Sequence, residues 1–272
     1  MQSILSRARA MDITSEPFPH LVIHDALDSD YYAKLATEFP AAEIILNGRE
    51  PLSNRNFRYT ANDALDDDRI SGHWREFIRY HASQEFFGEV QALFGSHIRM
   101  LHSLLETSVG KPLADWKSSV RFREPQLDIA LECQFAYGTP VERRSRVIGP
   151  HVDREVALFA GLFYMRDDAD DSDGGDLELY EFTGPPAFEE ETRCVPDDRV
   201  KCFRSIRYAK NTLVFFLHSS RSLHGVTPRG LTVHPRLHIN FVGELSTRVF
   251  DLTSLNSIKP RNPELPQGTI IT

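Results

Sequence analysis

His151-Val152-Asp153, with His224 and Arg236 far downstream, carries the residue types of a metal site with a cation behind it. On an extended chain, an imidazole and a carboxylate two residues apart point to the same face. A second imidazole from a neighbouring strand then places three ligands on one side of an ion. Two histidines and one carboxylate so arranged form the facial set that holds Fe(II) and leaves its far side open. Arg236 adds a planar guanidinium that stays charged when buried and can grip a carboxylate through two parallel hydrogen bonds.

A lone His-x-Asp triplet is weak evidence in a chain with eleven histidines and many aspartates. Its context strengthens it. His151 follows Gly149-Pro150 and precedes the apolar run Val156–Met165. A polar pair at the mouth of such a strand needs a metal or hydrogen bonds to offset its burial. Among the distal histidines, His224 in Leu223-His224-Gly225-Val226-Thr227-Pro228 is the preferred ligand. His218 closes a strand beside two serines and reads as a solvated or capping residue, and His234 beside Pro235 reads as exposed. His238 competes, because alternation puts it on one strand face with Arg236 and Asn240. Arg229 is the rival of Arg236, but Pro228-Arg229-Gly230 reads as an exposed turn.

The elements that must position these residues change character along the chain. Asp28-Ser29-Asp30 offers cap chemistry before Tyr31, Tyr32, Leu35 and Phe39 at helical spacing, with Pro40 as the stop. Trp74, Phe77, Ile78 and His81 mark a second helix. Phe86, Phe87, Val90, Leu93 and Phe94 mark a third, which Gly95 would end, and Ile98, Leu101, Leu104 and Leu105 a fourth. A short strand is expected at His20–His24. From about residue 128 the period becomes two: Ile129, Leu131, Cys133, Phe135 and Tyr137 alternate until Gly138-Thr139-Pro140 breaks the run. Further strands are expected at Leu177–Phe182, Thr212–Leu217 and Leu237–Phe241. Many short strands suggest a mainly β jelly roll, with N-terminal helices covering one sheet. The expected organisation is a single domain over 1–272: helical support at 1–127, a jelly-roll core at 128–245 and a C-terminal tail at 246–272.

Composition excludes several classes. With 272 residues, 41% hydrophobic and 26% charged, the chain suits a globular fold. A net charge of -8 argues against nucleic acid as the partner, and no apolar run is long enough for a membrane span. The first twenty residues lack a signal-peptide apolar core, so a cytoplasmic location is expected. Cys133, Cys194 and Cys202 are read as free thiols, although a pair between the last two across a hairpin is conceivable. The acidic run Asp167–Asp173 fits calcium-loop spacing poorly and reads as a solvated hairpin loop. Arg143, Arg144 and Arg146, and separately Asn54, Arg55 and Arg58, form polar loops that could meet an anionic substrate or act as a lid.

Taken together, the segment Leu131–Phe241 resembles the Fe(II)/2-oxoglutarate-dependent dioxygenases, and most closely their prolyl-4-hydroxylase-like branch. The resemblance rests on Tyr137-Gly138-Thr139-Pro140, His151-Val152-Asp153, Phe163-Tyr164-Met165, Gly174-Gly175-Asp176-Leu177-Glu178-Leu179, Asn211–Phe216, Leu223–Pro228 and Arg236. The spacing from His224 to Arg236 is slightly longer than usual, with an insertion near Val233-His234-Pro235. The resemblance implies a double-stranded β-helix with iron held by His151, Asp153 and His224. It implies 2-oxoglutarate chelated to that iron, its far carboxylate on Arg236, and Tyr164 and Tyr137 as phenols helping to hold it. It further implies O2 as oxidant, release of succinate and CO2, and ascorbate as a candidate reductant. Because Asp153 is present, hydroxylation of a small molecule or amino-acid-like group is favoured over halogenation, although desaturation or ring closure would use the same iron ligands. A peptide or protein substrate is the nearest variant. A non-catalytic metal-binding jelly roll, or a cupin-like isomerase using Mn or Zn, would need no Arg236.

Overall fold

The computed structural model describes residues 1–189, 192–253 and 255–258. Its strands are β1 (His20–His24), β2 (Asn56–Tyr59), β3 (Ser118–Val120), β4 (Ile129–Gly138), β5 (Ala157–Tyr164) and β6 (Leu177–Phe182). They continue with β7 (Ala187–Glu189), β8 (Val200–Ile206), β9 (Thr212–Leu217), β10 (His224–Val226), β11 (Arg236–Glu244) and β12 (Asn256–Ile258). The helices are α1 (Ser29–Thr37), α2 (Ala42–Leu46), α3 (Ala61–Asp66), α4 (Gly72–His81), α5 (Gln84–Leu101) and α6 (Leu105–Val109).

The large sheet runs β1-β9-β5-β11-β4-β2, with β3 added beside β4, and a smaller sheet runs β10-β6-β8. This is the mainly β jelly roll anticipated from the alternation. Along β4 and β11 the two faces are used differently. Ile129, Leu131, Cys133, Phe135, Ile239 and Phe241 point into a core shared with Trp74, Phe77, Phe86, Phe87 and Phe94 of α4 and α5. The opposite face looks toward the smaller sheet. There Tyr164, Val214 and Phe216 pack against Leu177, Leu179 and Ile206. The N-terminal helices thus seal one side of the large sheet, leaving its other side free to build a site.

Several local expectations change. Gly95 does not end a helix: α5 runs through it to Leu101, with Gly95 against Leu113, and Leu105 of the expected fourth helix opens α6 instead. Asp28 does precede α1 but makes no side-chain cap bond. β2 and β8 escaped the sequence reading because both lack a long apolar alternation; β8 is exposed along most of its length. Of the expected tail, Val249 is buried and β12 pairs with β7, while residues 259–272 lie outside the described residues. All three cysteines are free thiols. Among the described residues, no helix is long and apolar enough to cross a membrane.

His81 of α4 makes stability depend on pH. It is 1% exposed. Its Nδ1 donates to the Phe77 carbonyl at 2.8 Å, and its Nε2 accepts from the Ile4 amide at 3.1 Å. Both bonds require the neutral ring, and burial pulls its pKa from the ordinary 6.5 to about 3. The unfolded chain therefore takes up this proton first. Stability from this group is complete above pH 6.5 and is lost as pH falls toward 3, by about 1.4 kcal/mol per pH unit. Urea unfolding at pH 7 and pH 5 should show a larger loss for the wild type than for His81→Gln. Equal losses would contradict this assignment.

Candidate metal centre

His151 and His224 are 73 positions apart in sequence yet directly opposed in space. Their backbones exchange both amide–carbonyl bonds, at 2.9 and 3.0 Å, as in a hydrogen-bonded antiparallel pair. This brings the ring centroids to 4.3 Å. His224 opens β10, whereas His151 sits in an isolated bridge and Asp153 lies in the irregular stretch before β5. The His-x-Asp pair is thus not on a regular strand, as the alternation argument supposed. The three side chains converge nonetheless, with ligand atoms all within 4.8 Å of one another.

The hydrogen bonds around the rings prepare them for a metal. His151 Nδ1 donates to the Gly149 carbonyl at 2.9 Å, and His224 Nδ1 to the Ser222 carbonyl at 3.0 Å. A carbonyl can only accept, so each ring carries its proton on Nδ1 and turns the Nε2 lone pair inward. Asp153 Oδ1 is 3.5 Å from His151 Nε2, and its Oδ2 is 3.9 Å from His224 Nε2. Two ligand atoms that each sit about 2.1 Å from one ion can be at most about 4.2 Å apart, so both spacings suit a shared ion. Burial alone would raise the Asp153 carboxyl, but His218, His151 and His224 outweigh it and hold the group well below the ordinary range. Burial, reinforced by His151, pulls His224 down to about 3, which keeps its ring neutral.

His218 corrects the sequence reading. Far from being solvated, it is 0% exposed, and its Nε2 lies 3.2 Å from Asp153 Oδ2. The contact is at ion-pair distance without hydrogen-bond alignment. The signal missed was its place directly after an all-buried strand, β9, whose alternation puts it on the face of Val214 and Phe216 toward the site. His218→Phe should weaken Mn(II) or Fe(II) binding by about 10- to 100-fold while retaining one ion per chain, because it removes a partner of the ligand and not the ligand. A titration showing unchanged affinity would remove His218 from this role.

Behind the triad, the arginine question is decided by counter-charges. Arg229 is not an exposed turn residue: it is 2% exposed, and its Nη2 donates to the His234 carbonyl at 2.7 Å. It also lies 3.7 Å from Asp170, which is buried between Arg229 and Arg166. The acidic loop is therefore partly an internal counter-ion and not wholly solvated. Arg236, on β11, has no carboxylate partner among the described residues. Its Nε donates to the Gly175 carbonyl at 2.9 Å, and its guanidinium lies 5.1 and 4.9 Å from the ring centres of Tyr164 and Tyr208. Gly174 and Gly175 both adopt left-handed backbone, and a Cβ on Gly174 would meet the Pro228 carbonyl at 2.0 Å. Only glycine lets this segment come close enough to hold Arg236.

Arg236 Nη2 and the Tyr164 hydroxyl are both buried without hydrogen-bond partners. Two such orphans beside each other make a cradle of donors that a carboxylate would satisfy. Tyr208, unremarked in the sequence, completes its wall. Tyr137 does not belong to it, which corrects the expectation for that residue. It pairs with Leu237 on the strand face opposite Arg236 and packs on the helix-covered core. His238, the competing ligand, stands beside Arg236 and outside the triad. Arg143, Arg144 and Arg146 do not line the cavity, and the last two pair with Asp173 and Asp197. A cavity of about 300 Å³ joins His151, Asp153 and His224 to Arg236, with Leu162, Leu177 and Phe216 among its apolar walls.

No family model matches the sequence, and no curated protein matches it. Solved structures do. A prolyl 4-hydroxylase from Phytophthora capsici is 14% identical, with a TM-score of 0.50 over 84% of this chain and 59% of that one. A Pseudomonas putida prolyl-4-hydroxylase is 14% identical, with a TM-score of 0.46 over 84% of this chain and 93% of that one. The epimerase SnoN, solved with Fe3+, alpha ketoglutarate and nogalamycin RO, is 14% identical, with a TM-score of 0.45 over 93% of this chain and 91% of that one. At such identity the likeness to the Phytophthora enzyme establishes a shared jelly-roll fold.

Proposed function

We propose that this chain is an Fe(II)- and 2-oxoglutarate-dependent dioxygenase that hydroxylates a small molecule or amino-acid-like substrate. In this reading residues 1–127 support a catalytic core at 128–245. His151, Asp153 and His224 would hold the iron, while Arg236 and Tyr164 would hold the far carboxylate of 2-oxoglutarate. The observation that carries the reading is the pairing of two unlike requirements in one cavity. Three metal-ready ligand atoms converge at one end. At the other, the cavity reaches a buried arginine, Arg236, whose Nη2 lacks the partner that a dicarboxylate would provide, with the unpartnered Tyr164 phenol beside it. A structural metal site would not need the second feature.

When bound, iron and 2-oxoglutarate supply oxygen activation, with succinate and CO2 as by-products. The chain's own residues do the rest. The Gly149 and Ser222 carbonyls orient the imidazoles, and His218 orients Asp153. Arg236 and Tyr164 set the direction of the co-substrate. The apolar wall keeps water from the reacting bond. Anaerobic addition of Fe(II) and 2-oxoglutarate should produce a visible charge-transfer band, and air should yield succinate. Absence of both would refute the oxygenase reading and leave a non-catalytic metal-binding jelly roll. Ascorbate, if it acts as reductant here, should extend the lifetime of activity without altering the band.

A further inference from the structure

Arg58, expected in a polar loop, lies on β2 at the edge of the large sheet. Its register partner on β4 is Ala136, whose partner on β11 is His238, whose partner on β5 is Tyr164. Residues in one such row share a face. The next row on that face is Asn56, Gly138 and Arg236. The positions on β4 in both rows carry at most a methyl group. This gap lets Arg58 lie across β4, where its Nη1 comes within 3.0 Å of His238 Nε2. Arg236 Nη1 approaches the other nitrogen of the same ring, His238 Nδ1, at 3.4 Å.

One imidazole cannot satisfy both. Its charged form would have no lone pair, and burial between two cations holds its pKa well below the ordinary value. The neutral ring has a single lone pair, so one guanidinium must face an N–H. Nor do carboxylates settle the matter. Besides Arg58 and Arg236, the arginines lining the cavity are Arg193, which is exposed, and Arg121 and Arg154, which share Glu244 at 3.0 and 3.5 Å. Arg58 has no ion-pair partner among the described residues; its further contact is a 3.4 Å bond to Asn56 Oδ1. Burial and the proximity of Arg236 pull its pKa down to about 10, against the opposing influence of Asp153. A guanidinium held without a counter-ion in a cavity wall awaits an anion.

We propose that Arg58 binds a carboxylate of the primary substrate, which makes that substrate a small carboxylic acid such as an amino or hydroxy acid. The inference rests on the oxygenase reading, in which the two carboxylates of 2-oxoglutarate are engaged at the iron and at Arg236 and leave Arg58 unmatched. The cavity, about 300 Å³, lies at the small end of ligand sites, which run from roughly 300 to 1,000 Å³. Gln134 and Asn240 on the same wall supply uncharged hydrogen-bonding groups for the rest of such an acid.

The test is anaerobic calorimetry on the Fe(II)- and 2-oxoglutarate-loaded protein, titrated with a panel of amino and hydroxy acids and, separately, with their amides. At least one acid should bind the wild type, with its amide at least about 30-fold weaker. Arg58→Gln should bring the acid down to the level of its amide, Arg58→Lys should keep part of the preference, and both should retain the 2-oxoglutarate charge-transfer band. The assignment is overturned if acid and amide bind alike, if no panel member binds, or if Arg58→Gln keeps the preference. It is equally overturned if both variants lose the band or lose 2-oxoglutarate affinity as far as Arg236→Ala does, since Arg58 would then serve the co-substrate. A wild type lacking the band instead refutes the oxygenase reading itself.

Discussion

His151→Ala should abolish iron binding: under anaerobic Fe(II) titration the variant is expected to show at least about a 100-fold loss of affinity, and no charge-transfer band should develop when 2-oxoglutarate is added. The magnitude follows from comparison. Removing a mere partner of a metal ligand costs about 10- to 100-fold, so removing one of three ligands must cost more. The variant should fold, because the bridge that pairs residue 151 with His224 is made by backbone groups and survives truncation. His224→Ala should behave alike. Circular dichroism matching the wild type, together with full iron retention, would contradict the ligand assignment.

Arg236→Ala separates the two halves of the cavity. Iron affinity should stay within about threefold of the wild type, while 2-oxoglutarate binds at least about 30-fold more weakly. Losing one partner of a buried, hydrogen-bonded charge pair costs about 2–5 kcal/mol, and each 1.4 kcal/mol is tenfold. Thermal stability separates the two roles as well. Without co-substrate, Arg236 is a buried cation with no carboxylate beside it among the described residues. Its removal should therefore leave the melting temperature of the 2-oxoglutarate-free protein nearly unchanged. The rise that 2-oxoglutarate confers on the wild type should disappear. Equal loss of iron in Arg236→Ala and His151→Ala would mean that the cavity does not divide its work in this way.

The difference between Arg229 and Arg236 shows how far a linear reading reaches. Both arginines stand near the end of the core, and both are buried. What distinguishes them is Asp170, which lies beside Arg229, while Arg236 has no carboxylate partner among the described residues. Pairing of this kind depends on a loop some sixty residues away folding back, and no local pattern encodes it. His218 and His224 tell the same story from the other direction. Their immediate neighbours suggest a ligand at 224 and a solvated residue at 218, yet both rings border Asp153.

Residue chemistry and periodicity were written in the chain: the two-residue alternation from 128 onward, the amphipathic helices before it, and the ligand types His151, Asp153 and His224 with a cation behind them. These are properties of side chains and of local backbone geometry, so they survive without tertiary structure. Tertiary structure alone decided the face on which Tyr137 ended, the burial of His218, the neutralisation of Arg229 and the reach of Arg58 across Ala136 to His238. Each depends on strand register, and a one-residue slip moves a side chain to the opposite face. Register is set by the whole sheet, and the sequence around any one residue does not contain it.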